Sequence, residues 1–256
     1  MRKIFLYLLA AWMLTAPAAG HSVKVPILMY HHFTEESTAS PNECSAARFR
    51  EHIAALSGAG YHTVTFADLL GFVYNGTELP QKPVLLTSDD GYASVPERAL
   101  PILQEYGMGI SVAVIGGMAG KVGLIPHFSL EEAEVWKGTV EPVSHTWQMH
   151  ERNDCCYGVL TSAGTLHPAF LRDFQKIRQA ADSFPMMGQV FVYPYGKYSA
   201  ESEAVLTILG YRVSVTTEYG IAEVTAGVPD TLRLLPRIGV CGEMTAETLL
   251  AALDEP

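Results

Sequence analysis

Val84-Leu85-Leu86-Thr87-Ser88-Asp89-Asp90-Gly91-Tyr92 is an apolar run that ends on two adjacent carboxylates and a glycine. An unbroken apolar run suits a strand buried on both faces, as the strands of parallel sheets are. Toward the N-terminus, Val25 to Tyr30 reads the same way. Ala46 to Leu56 then sets Phe49, Ile53, Ala54 and Leu56 at helical spacing, and Gly58 to Gly60 ends that helix before a short strand, Thr63 to Phe66. Toward the C-terminus, Val95 to Tyr106 reads as a helix and Ile110 to Ile115 as a strand, and Ser129-Leu130-Glu131-Glu132 is a capping box that opens a helix toward Trp136. Glu141 to Val143 is a strand, Ala169 to Ser183 a helix, Val190 to Tyr193 a strand, Ser199 to Leu209 a helix and Tyr211 to Thr216 a strand. This alternation predicts an α/β chain with a parallel sheet, open or closed into a barrel. Residues 151 to 168, with Gly158, Gly164 and Pro168, are the longest irregular stretch and are expected to form a surface excursion.

The start of the chain speaks to compartment. Arg2 and Lys3 precede an apolar run from Ile4 to Thr15, and Ala16-Pro17-Ala18-Ala19-Gly20 follows. That is the pattern of a secretory signal peptide, with cleavage expected after Ala18 or Gly20. The run is shorter than the roughly 20 residues of a membrane-spanning helix, so an uncleaved anchor is the weaker alternative and no membrane span is expected after cleavage. Residues 1–20 are thus read as a signal and residues 21–256 as one domain, monomeric and secreted or held in the cell envelope. With 17 basic against 27 acidic residues the formal charge is −10, which disfavours nucleic acid and anionic lipid as partners and leaves a neutral or cationic polymer as the easier one. Four cysteines, Cys44, Cys155, Cys156 and Cys241, suit an exported chain. Adjacent Cys155 and Cys156 are poorly placed to bridge each other, so a bridge from one of them to Cys44 or Cys241 is the expected pairing.

The chemistry-bearing residues gather at predicted strand ends, where parallel α/β folds bind ligands. Asp89 and Asp90 are neighbours on an extended segment and point in different directions, so one could ligate a metal while the other faces substrate and water; Asp-Asp-Gly is equally an ordinary turn. His145 and His150 stand five positions apart after the strand Glu141 to Val143. Neither helix nor strand aims residues at that spacing toward one point, but a strand-end loop could bring two neutral imidazoles to a metal that also accepts Asp90, with a position left for water. In a chain with nine histidines the pair could also be chance. Tyr193-Pro194-Tyr195-Gly196 ends another strand and reads either as a close-approach turn or as a plain strand-to-helix turn. His31 and His32 follow the first strand, and one of them could be merely packed or solvated.

Taken together these motifs resemble the polysaccharide deacetylases, carbohydrate esterase family 4, and within it the permuted poly-N-acetylglucosamine deacetylase branch. Thr87-Ser88-Asp89-Asp90-Gly91 is similar to the family's first motif, Ser144-His145-Thr146 to His150 to its second, and Tyr30-His31 to the histidine segment that this branch carries near its N-terminus. The family's third motif, Arg-x-Pro-Tyr-Gly, has Val192 at the arginine position, and Arg237 in Leu235-Pro236-Arg237-Ile238 is a candidate replacement; otherwise it is a surface ion pair.

The resemblance implies a distorted (β/α) barrel of about seven parallel strands. It implies a divalent ion, by expectation zinc, held by Asp90, His145 and His150, with Asp89 as base, His31 as acid, the Tyr195 backbone N–H at the oxyanion and Arg237 tuning the base. The expected reaction is hydrolysis of N-acetyl groups from a polysaccharide or oligosaccharide containing N-acetylhexosamine. The rivals are an amidohydrolase of a small-molecule or peptide amide and a non-catalytic polysaccharide-binding relative.

Overall fold

Seven parallel strands close into a ring in the computed structural model, which describes residues 20–36, 38–150 and 164–254. They are β1 (Ile27–Tyr30), β2 (Pro83–Ser88), β3 (Ile110–Val114), β4 (Val140–Ser144), β5 (Val190–Val192), β6 (Val213–Tyr219) and β7 (Leu235–Gly239). Neighbours around the ring are neighbours in the chain, and β1 closes it by pairing with β7 on one side, Ile238 opposite Leu28, and with β2 on the other, Ile27 opposite Leu85. The barrel is distorted: β4 meets β5 at the single pair Ser144 and Phe191, and the β6–β7 register slips between Val215 and Tyr219.

Strand alternation sorts the apolar residues into two layers. Ile27, Leu85, Ala113, Val143, Val192, Val215 and Leu235, one from each strand, fill the barrel interior. Leu28, Leu86, Val112 and Phe191 face outward into a second core with α1 (Ala46–Gly58) and, after α2 (Phe66–Asn75), with α3 (Leu100–Glu105). Each such side chain contributes about 1.5–3 kcal/mol on burial.

Several elements differ from the sequence reading for identifiable reasons. Val25 to Tyr30 is two strands, because Pro26 has no N–H to continue a ladder; Ser22–Val25 pairs antiparallel with Ala222–Thr225, and only Ile27–Tyr30 joins the barrel. The strand expected over Thr63 to Phe66 stops at Thr63. Thr65 caps α2 instead, in a capping box with Asp68, and Phe66, Leu69, Leu70, Phe72 and Val73 plug the N-terminal end of the barrel. The helix expected from Val95 to Tyr106 begins as a π-helical turn, Val95–Ala99, and becomes α-helical only at Leu100. Pro101 lacks the N–H that would hold a regular turn there.

The capping box of Ser129 and Glu132 does open α4 (Leu130–Val135), and α5 (Pro168–Ala180), α6 (Ala200–Ile208) and α7 (Ala246–Leu253) complete the outer layer. The proposed signal peptide up to Ala19, most of the expected surface excursion, and Cys155 and Cys156 lie outside the described residues. Cys44 and Cys241 carry free thiols, contrary to the expected bridge. Burial pushes the Cys44 thiol up to about 12, as befits a structural rather than a reactive cysteine. Among the described residues no helix is long and apolar enough to cross a membrane.

Candidate active site

Alternation along β2 carries Leu85, Thr87 and Asp89 to the same face, so the last of them arrives inside the C-terminal mouth of the barrel. Arg237 meets it there from within β7, not from a loop after that strand, and is 1% exposed. Its guanidinium donates from Nη1 to Asp89 Oδ1 and from Nη2 to Asp89 Oδ2, each at 2.8 Å, while Nε donates to the Thr216 carbonyl at 2.8 Å and Nη1 also to Thr87 Oγ1 at 3.2 Å. This is a buried two-point fork and not a surface ion pair. Burial alone would push the Asp89 carboxyl up, but the Arg237 fork overrides it, with further pull from His145 and His31, and holds the group well below the usual carboxylate range.

Asp90 turns away from its neighbour because its backbone is left-handed, with φ of 76°. Thr146, at 68°, and Tyr195, at 57°, share that uncommon conformation. Three non-glycine residues of this kind at one mouth are the type of local strain that functional sites retain, at about 1–3 kcal/mol each. Asp90 Oδ1 lies 3.2 Å from His150 Nε2 and 3.6 Å from His145 Nε2. The left-handed turn at Thr146 is what lets histidines five positions apart reach one point, their ring centroids 4.8 Å from each other.

The His145 amide is tied to the Val114 carbonyl, and its ring Nδ1 lies 2.8 Å from the Val192 carbonyl. A carbonyl can only accept, so Nδ1 carries the proton and Nε2 offers its lone pair toward Asp90. Burial keeps His145 below the usual imidazole range despite the pull of Asp89 and Asp90. One ligand atom from each of Asp90, His145 and His150 falls within 4.8 Å of the others. One carboxylate and two imidazoles, one of them fixed as the neutral tautomer by a backbone carbonyl, are a donor set that fits a divalent ion such as zinc.

His31 follows β1 directly. Ser88 Oγ donates to its carbonyl at 2.9 Å, and its Nδ1 is buried with no hydrogen-bond partner among the described residues. His32 is differently placed: its Nδ1 is 3.0 Å from Ser94 Oγ, and it lines a separate cavity with Glu97 and Arg98. Tyr195 sits in the turn Pro194–Gly196, its ring 5.0 Å from that of His150. Gly196 is required beside it, since a Cβ there would fall 2.1 Å from Thr217 Oγ1.

A cavity of about 650 Å³ opens beside Asp90 and His150, walled by Tyr92, His127 and Trp147 with Lys121. Asp89, His31 and His145 are not part of its lining. Tyr92, given no role in the sequence reading, and His127, not singled out there, come together through a β-bridge, with ring centroids 4.9 Å apart. They are separated by 34 residues of chain and carry no local pattern, so only the fold reveals them.

Comparison with known proteins agrees with this geometry. Residues 76–214, more than half of the chain and the stretch that holds both aspartates and both site histidines, match the family model for polysaccharide deacetylase. The chain belongs to the polysaccharide deacetylase family. It is therefore a hydrolase of carbon–nitrogen bonds other than peptide bonds. The Bacillus subtilis (strain 168) protein YxkH is 28% identical over 240 residues, covering 91% of this chain and 77% of its own. The poly-β-1,6-N-acetyl-D-glucosamine N-deacetylase of Escherichia coli (strain K12) is 29% identical over 234 residues; the match covers 75% of this chain but only 34% of that longer enzyme. Among solved structures, the Streptococcus pyogenes deacetylase PplD in complex with acetate superimposes with a TM-score of 0.73 and 25% identity over 92% of this chain and all of that one.

Proposed function

We propose that this deacetylase removes N-acetyl groups from an N-acetylhexosamine polymer outside the cytoplasm, that residues 1–20 direct its export, and that residues 21–256 form the catalytic domain. The observation that carries the reading is the pairing of Asp89 with Arg237 directly beside the Asp90, His145 and His150 cluster. Two adjacent carboxylates thereby receive different duties. A divalent ion, zinc by the chemistry of the donors, would be held by Asp90, His145 and His150 and would polarise the acetyl carbonyl and acidify water. Asp89, kept ionised by Arg237, takes the proton of the attacking water. The Tyr195 backbone N–H donates to the developing oxyanion. His31 protonates the amine nitrogen as the carbon–nitrogen bond breaks, leaving acetate and a free amino sugar. The names of the E. coli N-deacetylase and of the streptococcal deacetylase bound to acetate support this substrate class.

Acetate release from chitin oligomers, peptidoglycan and poly-β-1,6-N-acetylglucosamine tests the substrate class. Turnover of at least one polymer is expected, and turnover confined to small amides or peptides would overturn it. Purified protein should hold about one divalent ion, and His150→Ala should lose most of it, because two remaining ligands hold zinc poorly. Full metal content in that variant would remove His150 from the ligand set. For His31, replacement by alanine should slow an N-acetyl amide about 10²- to 10⁴-fold and an aryl acetate far less, since the aryl leaving group needs no proton. Equal slowing of both substrates would rule out the acid role.

A further inference from the structure

The loop that carries His145 and His150 is backed by α5, and the contact is made by Asp173, a carboxylate only 5% exposed. Its Oδ2 accepts the Trp147 N–H at 2.8 Å and its Oδ1 the Gln148 N–H at 2.6 Å. Both N–H groups follow the left-handed Thr146. Successive amides after such a residue turn toward one side and form a concave site for an anion, here filled by a side chain of the same chain.

The other edge of the loop is fastened to the turn after β3. Gly116 N–H donates to the Thr146 carbonyl at 3.1 Å and Gly117 N–H to the Trp147 carbonyl at 2.6 Å. That turn has to be glycine, because a Cβ on Gly116 would stand 2.3 Å from the Trp147 ring. Lys176, also from α5, lies over the same ring at 5.6 Å. The three residues after His145 are therefore held from both sides, by glycine backbone on one and by the Asp173 carboxylate on the other. The strained φ of Thr146, on which the convergence of the two imidazoles depends, needs such a clamp to persist.

We propose that Asp173 is the positioning residue of the metal loop: by binding the Trp147 and Gln148 amides it fixes the turn that aims His145 and His150 at Asp90. The inference rests on the reading of Asp90, His145 and His150 as metal ligands. Groups that orient ligands commonly change metal affinity about 10- to 100-fold when removed.

The test is zinc titration of chelator-stripped protein against a competing chromophoric chelator, well below the melting temperature, with far-UV circular dichroism to verify folding. Asp173→Ala should weaken zinc about 10- to 100-fold. Asp173→Asn, of the same shape but able to accept only through Oδ1, should fall between it and wild type. If folded Asp173→Ala has a lower Tm but the zinc Kd of wild type, the residue merely stabilises α5 and the proposal is wrong. Should Asp173→Ala fail to fold, an unchanged zinc Kd in Asp173→Asn overturns the proposal in its place. Wild type and His150→Ala bracket the range. A wild type that takes up no zinc, or a His150→Ala variant that binds as tightly as wild type, would instead bring down the ligand assignment itself, and the role of Asp173 with it.

Discussion

Each end of the barrel withdraws a carboxylate from solvent, Asp89 almost completely and Glu141 in part, and the two are treated in opposite ways. At the N-terminal end, Glu141 of β4 accepts the N–H groups of Phe66 and Ala67 at the start of α2, at 3.0 and 3.1 Å, and the Ser111 hydroxyl at 2.6 Å. No basic side chain is among those partners, and burial raises its carboxyl above the usual range in spite of them. At the C-terminal end, Asp89 meets a guanidinium and is held far on the ionised side. A buried acid is therefore not by itself the mark of a site. Partners that are backbone amides fasten one element to another, whereas a charged partner, next to a cluster of metal-ligating side chains, sets up chemistry.

The contrast can be broken at either end. The largest effect is expected from Asp89→Asn, which should retain the metal yet cost about 10⁴-fold in kcat on an N-acetylated sugar, since an amide cannot take the proton of water. Loss of metal in Asp89→Asn, with the metal retained in Asp90→Asn, would mean that Asp89 and Asp90 exchange roles. Next is Arg237→Met, which leaves Asp89 buried without its countercharge and should destabilise the protein by about 3–5 kcal/mol in urea unfolding. A change below about 1 kcal/mol would place that pair among surface-like ion pairs.

The smallest effect belongs to Glu141→Gln, expected to cost about 1–3 kcal/mol of stability through a poorly matched cap on α2 while kcat stays at the wild-type value. Its pH dependence sharpens the comparison. Because the folded carboxyl lies above its ordinary 4.5, the stability it contributes is fully present below that value and is lost as the pH rises through the raised one. The gap between wild type and Glu141→Gln should thus narrow as the pH rises above 4.5. Asp89, depressed below 3.8, has the opposite sign: its contribution is present above 3.8 and lost as the pH falls through the lowered value. A gap at Glu141 that widens with pH would show that the carboxylate form is the one the fold prefers there.

What the sequence discloses and what it hides follow from the range of the interactions. The capping box at Ser129 is legible because its partner Glu132 lies three residues on, and Asp89-Asp90-Gly91 because it directly follows the apolar run of its own strand. The helix after Thr65 is not, since Thr63 to Phe66 has the β-branched and aromatic composition of a strand, and the deciding contacts are the burial of Phe66, Leu69 and Phe72 against a barrel assembled from distant strands. Arg237 can be singled out as a candidate, but its membership of β7 and its fork on Asp89, 148 positions away, are consequences of ring closure. Asp173 offers no signal at all: an aspartate inside an amphipathic helix reads as solvent-facing until the loop it holds is in view.

The seam at β1 makes completion of the mouth wait on both ends of the ring. Asp90, His145 and His150 come from β2, from β4 and from the loop beyond it, while His31 and Arg237 arrive on β1 and β7, some 200 residues apart and joined only when the ring shuts. Contacts across so long a span of chain are among the slowest to form. A ribosome that has not yet released the last strand, or a protease that has removed it, would leave a chain whose central strands still carry the ligand cluster but whose Asp89 has no guanidinium beside it. The geometry thereby withholds the full constellation until β7 has joined the ring.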